Sequence, residues 1–328
     1  MTSESKNSSE PLVSIIIPTK DNIKLLKTCI ESIETKSSYK NYEIIIVDNG
    51  SKKEETKKYL NSLKHKVLSY DKSFNFSRIN NFAVTNANGE HVIFLNDDTQ
   101  VISQNWIESM LEHSIKPTVG AVGALLFYLN DTIQHAGMLL GVRGVTSHAF
   151  EGLPRSDKGY KGLVQTVREC SAVTGACMMI KQNLFKQVGR FDEKYAYSFN
   201  DVDLCLRLRE KGYSIIYTPH AQLYHRGTAS RPYTEENEEI RYFVKRWHDL
   251  ILKGDPYYEK NLSRVRPFEP KTGNEKLILA DTHLFEESER GFSKRLEKYI
   301  EVSNKVRKRY GVVRVIIEFM RFLKKRNL

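Results

Sequence analysis

Residues 12–19 read Leu-Val-Ser-Ile-Ile-Ile-Pro-Thr, an almost unbroken apolar run that ends in Pro18 and Thr19. Such a run, without polar alternation, predicts a strand covered on both faces, as in a parallel sheet. The signature returns at Tyr42–Val47 (YEIIIV) and His91–Leu95 (HVIFL). Between the first two, Ile23, Leu26, Ile30 and Ile33 fall at helical spacing and predict a helix from Asn22 to about Thr35. A charged helix over Lys52–Leu63, a short strand near Val67–Tyr70 and a helix from Ser77 complete the pattern. Strands alternating with helices at this spacing predict an α/β, doubly wound sheet with right-handed crossovers.

Ligands of such sheets bind at the carboxyl ends of the strands. Three polar clusters stand there: Thr19-Lys20-Asp21, Asp48-Asn49-Gly50 and Asn96-Asp97-Asp98. The carboxylate pair Asp97-Asp98 at the end of a buried strand calls for a cation or several donors to neutralise it. Hard oxygen ligands of this kind suit Mg²⁺ or Mn²⁺ carrying phosphates, while capping of a helix starting near Ser103 is the plainer explanation.

Further on, Gly120–Met179 is rich in glycine and loops and reads as a mixed or antiparallel extension of the sheet, with an exposed loop around Glu151–Gly162. Asn200–Gly212 predicts a helix with a polar start and a glycine stop, Tyr213–Tyr217 a strand, and Glu235–Leu252 a helix. Asp201 and Asp203 open the first of these helices. Capping explains both, yet Asp201 follows a Tyr- and Phe-rich approach where a partly desolvated carboxylate can serve as a general base. His225 precedes a flexible Gly227–Arg231 stretch, and His135, His148 and His220 read as ordinary partly buried histidines.

The chain has 328 residues and a formal charge of +11, from 51 Lys and Arg against 40 Asp and Glu. That charge is not spread evenly: residues 290–328 carry 13 basic and 3 acidic residues, a net of +10, and residues 1–289 only +1. The neutral body speaks against nucleic-acid binding. Within the tail, Arg314, Glu318 and Arg321 share one helical stripe in Val312–Leu323, which leaves a broad apolar face between cationic clusters. Such a helix can lie on an anionic membrane or pack against a second copy of the chain. Residues 1–10 are polar and read as a disordered leader, no apolar run reaches the length of a membrane span, and four cysteines without zinc spacing fit a reducing, cytoplasmic setting.

Six blocks, VSIIIPTKDN, EIIIVDNGS, HVIFLNDDT, AVTGACMMI, FDEKYAYSFNDVDLCLRLREKGY and TPHAQLYHRGTASR, follow one another in the order found in family 2 glycosyltransferases. The resemblance spans about residues 12–260 and is greatest with the polysaccharide and O-antigen branch, which includes rhamnosyltransferase-like proteins. It implies a GT-A-type, Rossmann-like mixed sheet flanked by helices, while residues 261–328, beyond the resemblance, read as a connector and a basic amphipathic helical tail. Residues 12–119 would form the nucleotide-binding half and 120–260 the acceptor and catalytic half. It also implies a nucleotide-diphosphate sugar donor (UDP- or dTDP-linked, with rhamnose one candidate sugar), a divalent cation, Mn²⁺ or Mg²⁺, and inversion at the anomeric carbon. The acceptor would be a growing cell-surface polysaccharide or a lipid-linked glycan, and the cationic tail points to the inner face of the cell membrane.

By position, the resemblance places Thr19 and Asp21 at the nucleotide base and Asp48 at the base or ribose. Asn96-Asp97-Asp98 fills the family's DxD slot, with Asn96 at the ribose, Asp97 among the nucleotide-sugar-binding residues and Asp98 on the metal. Asp201 matches the catalytic aspartate, with Asn200 in place of the family's Glu, and His225 matches a further metal ligand. Arg78 and Asn81 lie in the block that lines the donor site. The alternative from a different class is a non-catalytic nucleotide-sugar-binding partner of a glycan assembly complex.

Overall fold

The computed structural model describes residues 10–227 and 236–271. Residues 1–9 of the leader, residues 228–235 and the chain after residue 271, with the whole basic tail, fall outside the described residues. The elements run β1 (Val13–Thr19), α1 (Ile23–Lys36), β2 (Tyr42–Asp48), α2 (Glu54–Ser62), β3 (Lys66–Ser69), α3 (Phe76–Val84) and β4 (His91–Leu95). They continue with β5 (Thr99–Val101), α4 (Trp106–Ser114), β6 (Val119–Phe127), β7 (Ile133–His135), β8 (Met138–Leu140), β9 (Thr146–His148) and β10 (Arg168–Glu169). β11 (Cys177–Lys181), α5 (Gln182–Gln187), α6 (Asn200–Glu210), β12 (Ser214–His225) and α7 (Glu236–Lys253) complete the described chain.

One mixed sheet has the order β10-β12-β6-β11-β4-β1-β2-β3, with β5 added to β12 and β7 to β6. The half from β4 to β3 is parallel, as the apolar runs predict. β11 then runs antiparallel to both β4 and β6, and β12 runs parallel to β6. Two reversals in succession make β6 and β12 point the same way as β4. The carboxyl ends of all of them therefore meet on one edge of the sheet.

Both faces are covered. Ile15, Ile17, Ile93 and Leu95 join Leu26, Ile30, Trp106 and Met110 of α1 and α4 in one buried cluster. On the other face Phe94 packs on Phe185 and Phe191 with ring centroids 5.1 and 4.7 Å apart, and Phe76 of α3 closes on Phe191 at 5.8 Å. Gly123 of β6 admits Val173 so closely that a Cβ there would lie 2.4 Å from the valine Cβ. All four cysteines, Cys29, Cys170, Cys177 and Cys205, are free and buried.

β12 is longer than the five-residue strand predicted from sequence. It continues to His225 through an irregularity: Thr218 pairs with Ala124 and Gln222 with Leu125, so Pro219, His220 and Ala221 have no counterparts on β6. Extra residues of this kind bend a strand and re-aim its side chains.

By contacts the described residues divide into two compact units, 10–139 with 148–227, and 140–147 with 236–271. The first contains the sheet just described. In the second, Arg264 joins the end of α7 to the 140–147 segment, donating to the carbonyls of Gly141, Leu252 and Ile251 at 2.7, 3.1 and 2.6 Å. Asp255 accepts the Leu140 amide at 2.7 Å. No helix among the described residues is long and apolar enough to cross a membrane.

Candidate active site

β1, β2 and β4 end side by side because their registers place Thr19 opposite Asp48 and Ile16 opposite Phe94. Thr19 Oγ1 donates to Asp97 Oδ2 at 2.7 Å, which joins the first and third polar clusters. Burial pushes the Asp97 carboxyl up to about 6, against the opposing pull of the Thr19 hydroxyl, and the neighbouring Asp98 charge adds to the rise.

Asp98 takes the opposite course. Burial alone would raise it, but the His225 ring and the Gly227 amide outweigh burial and hold its carboxyl below the ordinary range. The contacts are His225 Nε2 at 3.1 Å from Oδ1 and the Gly227 N–H donating to Oδ2 at 2.9 Å. Asn96 Nδ2 lies 3.1 Å from the same His225 nitrogen.

Gln134, on β7, determines the state of that imidazole. Its Nε2 donates to the His225 carbonyl at 3.1 Å, so its Oε1 faces ring Nδ1, which must carry a proton to donate to it. Nε2 is then the ring nitrogen turned to Asp98 and Asn96. Sequence reasoning overlooked Gln134 and Gly227, because their role depends on the pairing of β7 with β6 and of β12 with β5.

A divalent cation is implied by the family resemblance. One carboxylate oxygen and one imidazole nitrogen, 3.1 Å apart and with the far ring nitrogen already hydrogen-bonded, form a donor set that fits such an ion. Among the described residues no cluster of three or more His, Cys, Asp and Glu could hold a metal. Asp98 and His225 are the residues that would hold such an ion.

Asp201 begins α6. Phe199, at φ 62°, turns the chain in the left-handed region just before the helix. Asp201 Oδ2 accepts the Gly175 amide and Oδ1 accepts the Val202 amide, both at 2.8 Å. The next residue after Gly175, Ala176, accepts the Asn96 amide at 3.1 Å. One short loop thus links the Asp201 carboxylate to the end of β4. Asp203, read from sequence as a helix-start residue, is fully buried and pairs with Arg207 at 2.8 Å.

The other sequence-predicted residues make separate contacts. Asp21, at φ 51°, accepts the amides of Lys52 and Lys53 at 2.8–3.0 Å, and those bonds lower its carboxyl pKa. It so anchors the entry to α2. Asp48 accepts the Ser51 amide at 2.9 Å at the end of β2. Arg78 and Asn81 are both on α3: Arg78 Nε donates to Glu193 at 3.2 Å, and the Asn81 amide bonds Phe191 through its N–H and its oxygen at 3.0 and 3.1 Å. Thr19, Asn96, Asp97, Asp98 and His225 form one connected group, with Asp201 one loop away.

The sequence profile of Glycosyl transferase family 2 matches residues 14–189. The chain is 39% identical over 271 residues to the uncharacterized protein y4gI of Sinorhizobium fredii, covering 78% of this chain and 30% of that one. It is 35% identical over 261 residues to the O-antigen biosynthesis protein RfbC of Myxococcus xanthus, covering 77% and 20%. The chain thus spans less than a third of the length of these two relatives. A third, the N-acetylglucosaminyl-diphospho-decaprenol L-rhamnosyltransferase of Mycobacterium tuberculosis, is 40% identical over 143 residues, 41% of this chain and 46% of that one.

Among solved structures, GalNAc-T7 with UDP, GalNAc and Mn²⁺ superposes with a TM-score of 0.59 at 15% identity, covering 74% of this chain and 49% of that one. The mannosyltransferase PcManGT of Pyrobaculum calidifontis, in complex with GDP-Man and Mn²⁺, gives 0.53 at 15%, covering 74% and 65%. At that identity they attest the fold alone, the mixed α/β sheet flanked by helices expected of GT-A proteins. On the profile match across more than half of its length, the chain belongs to glycosyl transferase family 2.

Proposed function

We propose that this chain is an inverting, metal-dependent glycosyltransferase that moves a sugar from a UDP- or dTDP-linked donor to a growing cell-surface polysaccharide or a lipid-linked glycan. The observation that carries the reading is the set of Asp98 and His225 on one side of a short loop and the amide-held Asp201 on the other. The relatives named for O-antigen biosynthesis and for rhamnosyl transfer support the glycan class, with rhamnose one candidate sugar.

Each named residue has a task in this chemistry. Thr19, Asp21 and Asp48 line the strand ends where the nucleoside would bind, and Arg78 and Asn81 flank them on α3. Asn96, Asp98 and His225 face the diphosphate. When bound, Mn²⁺ or Mg²⁺ supplies Lewis-acid neutralisation of the leaving diphosphate. Asp97, tied to Thr19, keeps the two strand ends in register. Asp201 has a lone pair left on each oxygen after accepting Gly175 and Val202. It accepts the proton of the acceptor hydroxyl as that oxygen attacks the sugar carbon from the face opposite the diphosphate, which inverts the centre. Residues 12–119 form the nucleotide-binding half, and residues 120–260 the acceptor and catalytic half that also lends His225 to the metal. The basic tail, residues 290–328 with a net charge of +10, would hold the enzyme at an anionic membrane or in a dimer.

The test is a screen of nucleotide sugars for thermal protection with Mn²⁺ and after chelation, followed by assays of sugar release and transfer. Wild-type protein should be protected by one donor and turn it over. Asp201→Asn should keep the protection and lose at least about a thousandfold in rate. Turnover by Asp201→Asn near the wild-type rate would remove Asp201 from the mechanism. Protection without turnover by any protein would favour the non-catalytic partner.

A further inference from the structure

Residues 190–199, the strap that leads into α6, form neither helix nor strand, so their buried carbonyls depend on donors from other elements. The strap is bracketed by two non-glycine residues in the left-handed region, Arg190 at φ 63° and Phe199 at φ 62°. Residues stay in that region only where their surroundings dictate it.

The start of α3 supplies the donors. Asn75 Nδ2 donates to the Glu193 carbonyl at 2.9 Å, Ser77 Oγ to the Tyr195 carbonyl at 2.6 Å and the Phe76 amide to the Ala196 carbonyl at 2.8 Å. Ser77 and Asn75 are both buried. Asn75 does this while its Oδ1 caps α3, accepting the Arg78 amide at 2.9 Å. Further along the same helix, Asn81 bonds Phe191 in both directions. Phe76 also reaches the catalytic side. A Cβ placed on Gly175 would lie 3.4 Å from Phe76 Cζ and 3.5 Å from Asp201 Cβ, so ring tip and aspartate meet at one glycine. That glycine gives its amide to Asp201 Oδ2 at 2.8 Å.

We propose that Asn75 and Ser77 are positioning residues for the Asp201 carboxylate. They clamp the strap, and its last residue, Phe199, accepts the Asp203 amide at 2.8 Å and so opens the first turn of α6. That turn decides where the carboxylate points. A general base must lie within hydrogen-bond reach of the hydroxyl it deprotonates. A displacement of about 1 Å can therefore cost about a hundredfold in rate. The task of Asp201 rests on the glycosyltransferase reading; the clamp adds the element that aims it.

Amide hydrogen exchange and steady-state kinetics on the full chain test it. Asn75→Ser keeps an oxygen to cap α3 but loses the donor to Glu193, and Ser77→Ala loses the donor to Tyr195. Thr85→Ala, whose hydroxyl bonds Phe82 at the far end of α3, is the control. In the first two variants the Gly175 amide should exchange at least about fivefold faster than in wild type or the control. Their kcat should fall about 10–100-fold, with the donor KM and the thermal protection by UDP or dTDP with Mn²⁺ unchanged. Added to Asp201→Asn, Ser77→Ala should cost no further rate, because a residue that acts through Asp201 is silent without it. Unchanged Gly175 exchange in both variants, equal effects of Thr85→Ala, or losses that multiply with Asp201→Asn would overturn the proposal. Faster Gly175 exchange in the variants of a protein that turns over no donor would uphold the clamp and sink the transferase reading.

Discussion

Gln134 holds His225 at two points, accepting the ring Nδ1–H with Oε1 and donating Nε2–H to the His225 carbonyl oxygen at 3.1 Å. The pair fixes both the ring's direction and its tautomer, a support that metal-binding histidines commonly need. Gln134→Leu should therefore weaken Mn²⁺ binding in the presence of a nucleoside diphosphate by about 10–100-fold. Gln134→Glu, which still accepts from Nδ1, should lose much less. Mn²⁺ titration followed by electron paramagnetic resonance measures both, and equal affinity for wild type and Gln134→Leu would dismiss the support role.

Asp203 and Arg207 form the buried pair of α6, and Arg207 also donates to the Arg190 carbonyl at 2.6 Å and to the Val188 carbonyl. Removing one partner leaves the other charge unpaired. Asp203→Asn should cost about 3–5 kcal/mol in urea unfolding, and replacing both residues by apolar ones of similar size should cost less. A stability loss below about 1 kcal/mol for the single variant would mean that water reaches the pair.

Gly123 has Val173 against it. Gly123→Ala places a methyl 2.4 Å from the Val173 Cβ and should destabilise by about 1–3 kcal/mol. Adding Val173→Gly, which removes that atom, should restore part of the loss in thermal unfolding. Additive losses in the double variant would contradict this account of the contact.

Burial lowers the His91 imidazole from its ordinary 6.5 to about 4, and its Nδ1 stands 2.8 Å from the Ser114 hydroxyl. The folded ring stays neutral where the unfolded ring takes up a proton. His91 therefore opposes folding increasingly as pH drops from about 6.5 to about 4 and adds no further slope below that. Buried His135 acts in the same direction. In His91→Gln the melting temperature should fall less steeply across that interval. An unchanged slope would assign the acid sensitivity to other groups.

The parallel half of the sheet was legible because β1, β2 and β4 are covered on both faces and so read as apolar runs. β5, β7 and β10 have three, three and two residues, too few to carry a period. The second half of β12 was hidden because Thr218-Pro219-His220 interrupts the alternation, and the reason for the interruption is the unmatched step against β6. For the site, the strand-end clusters followed from topology, and the Thr19–Asp97 bond between two of them was not foreseen. The partnership of Asp98 with His225 joins residues 127 positions apart in sequence and came only through family resemblance. Asn81 illustrates the remaining gap: its place on α3 was readable, but its two bonds to Phe191 depend on a loop 110 residues away.

The four sequestered thiols give the molecule an internal record of its own opening. Cys29 lies on α1, Cys177 on β11 and Cys205 on α6, with Cys170 just after β10. Burial pushes the Cys29 thiol up to about 12 and raises Cys177 and Cys205 as well, so neither access nor ionisation favours attack while the layers stay closed. A colourless thiol reagent that turns yellow on reaction would stay silent on the native protein. The order in which the four sulfurs respond under mild denaturant would then tell which layer parts first.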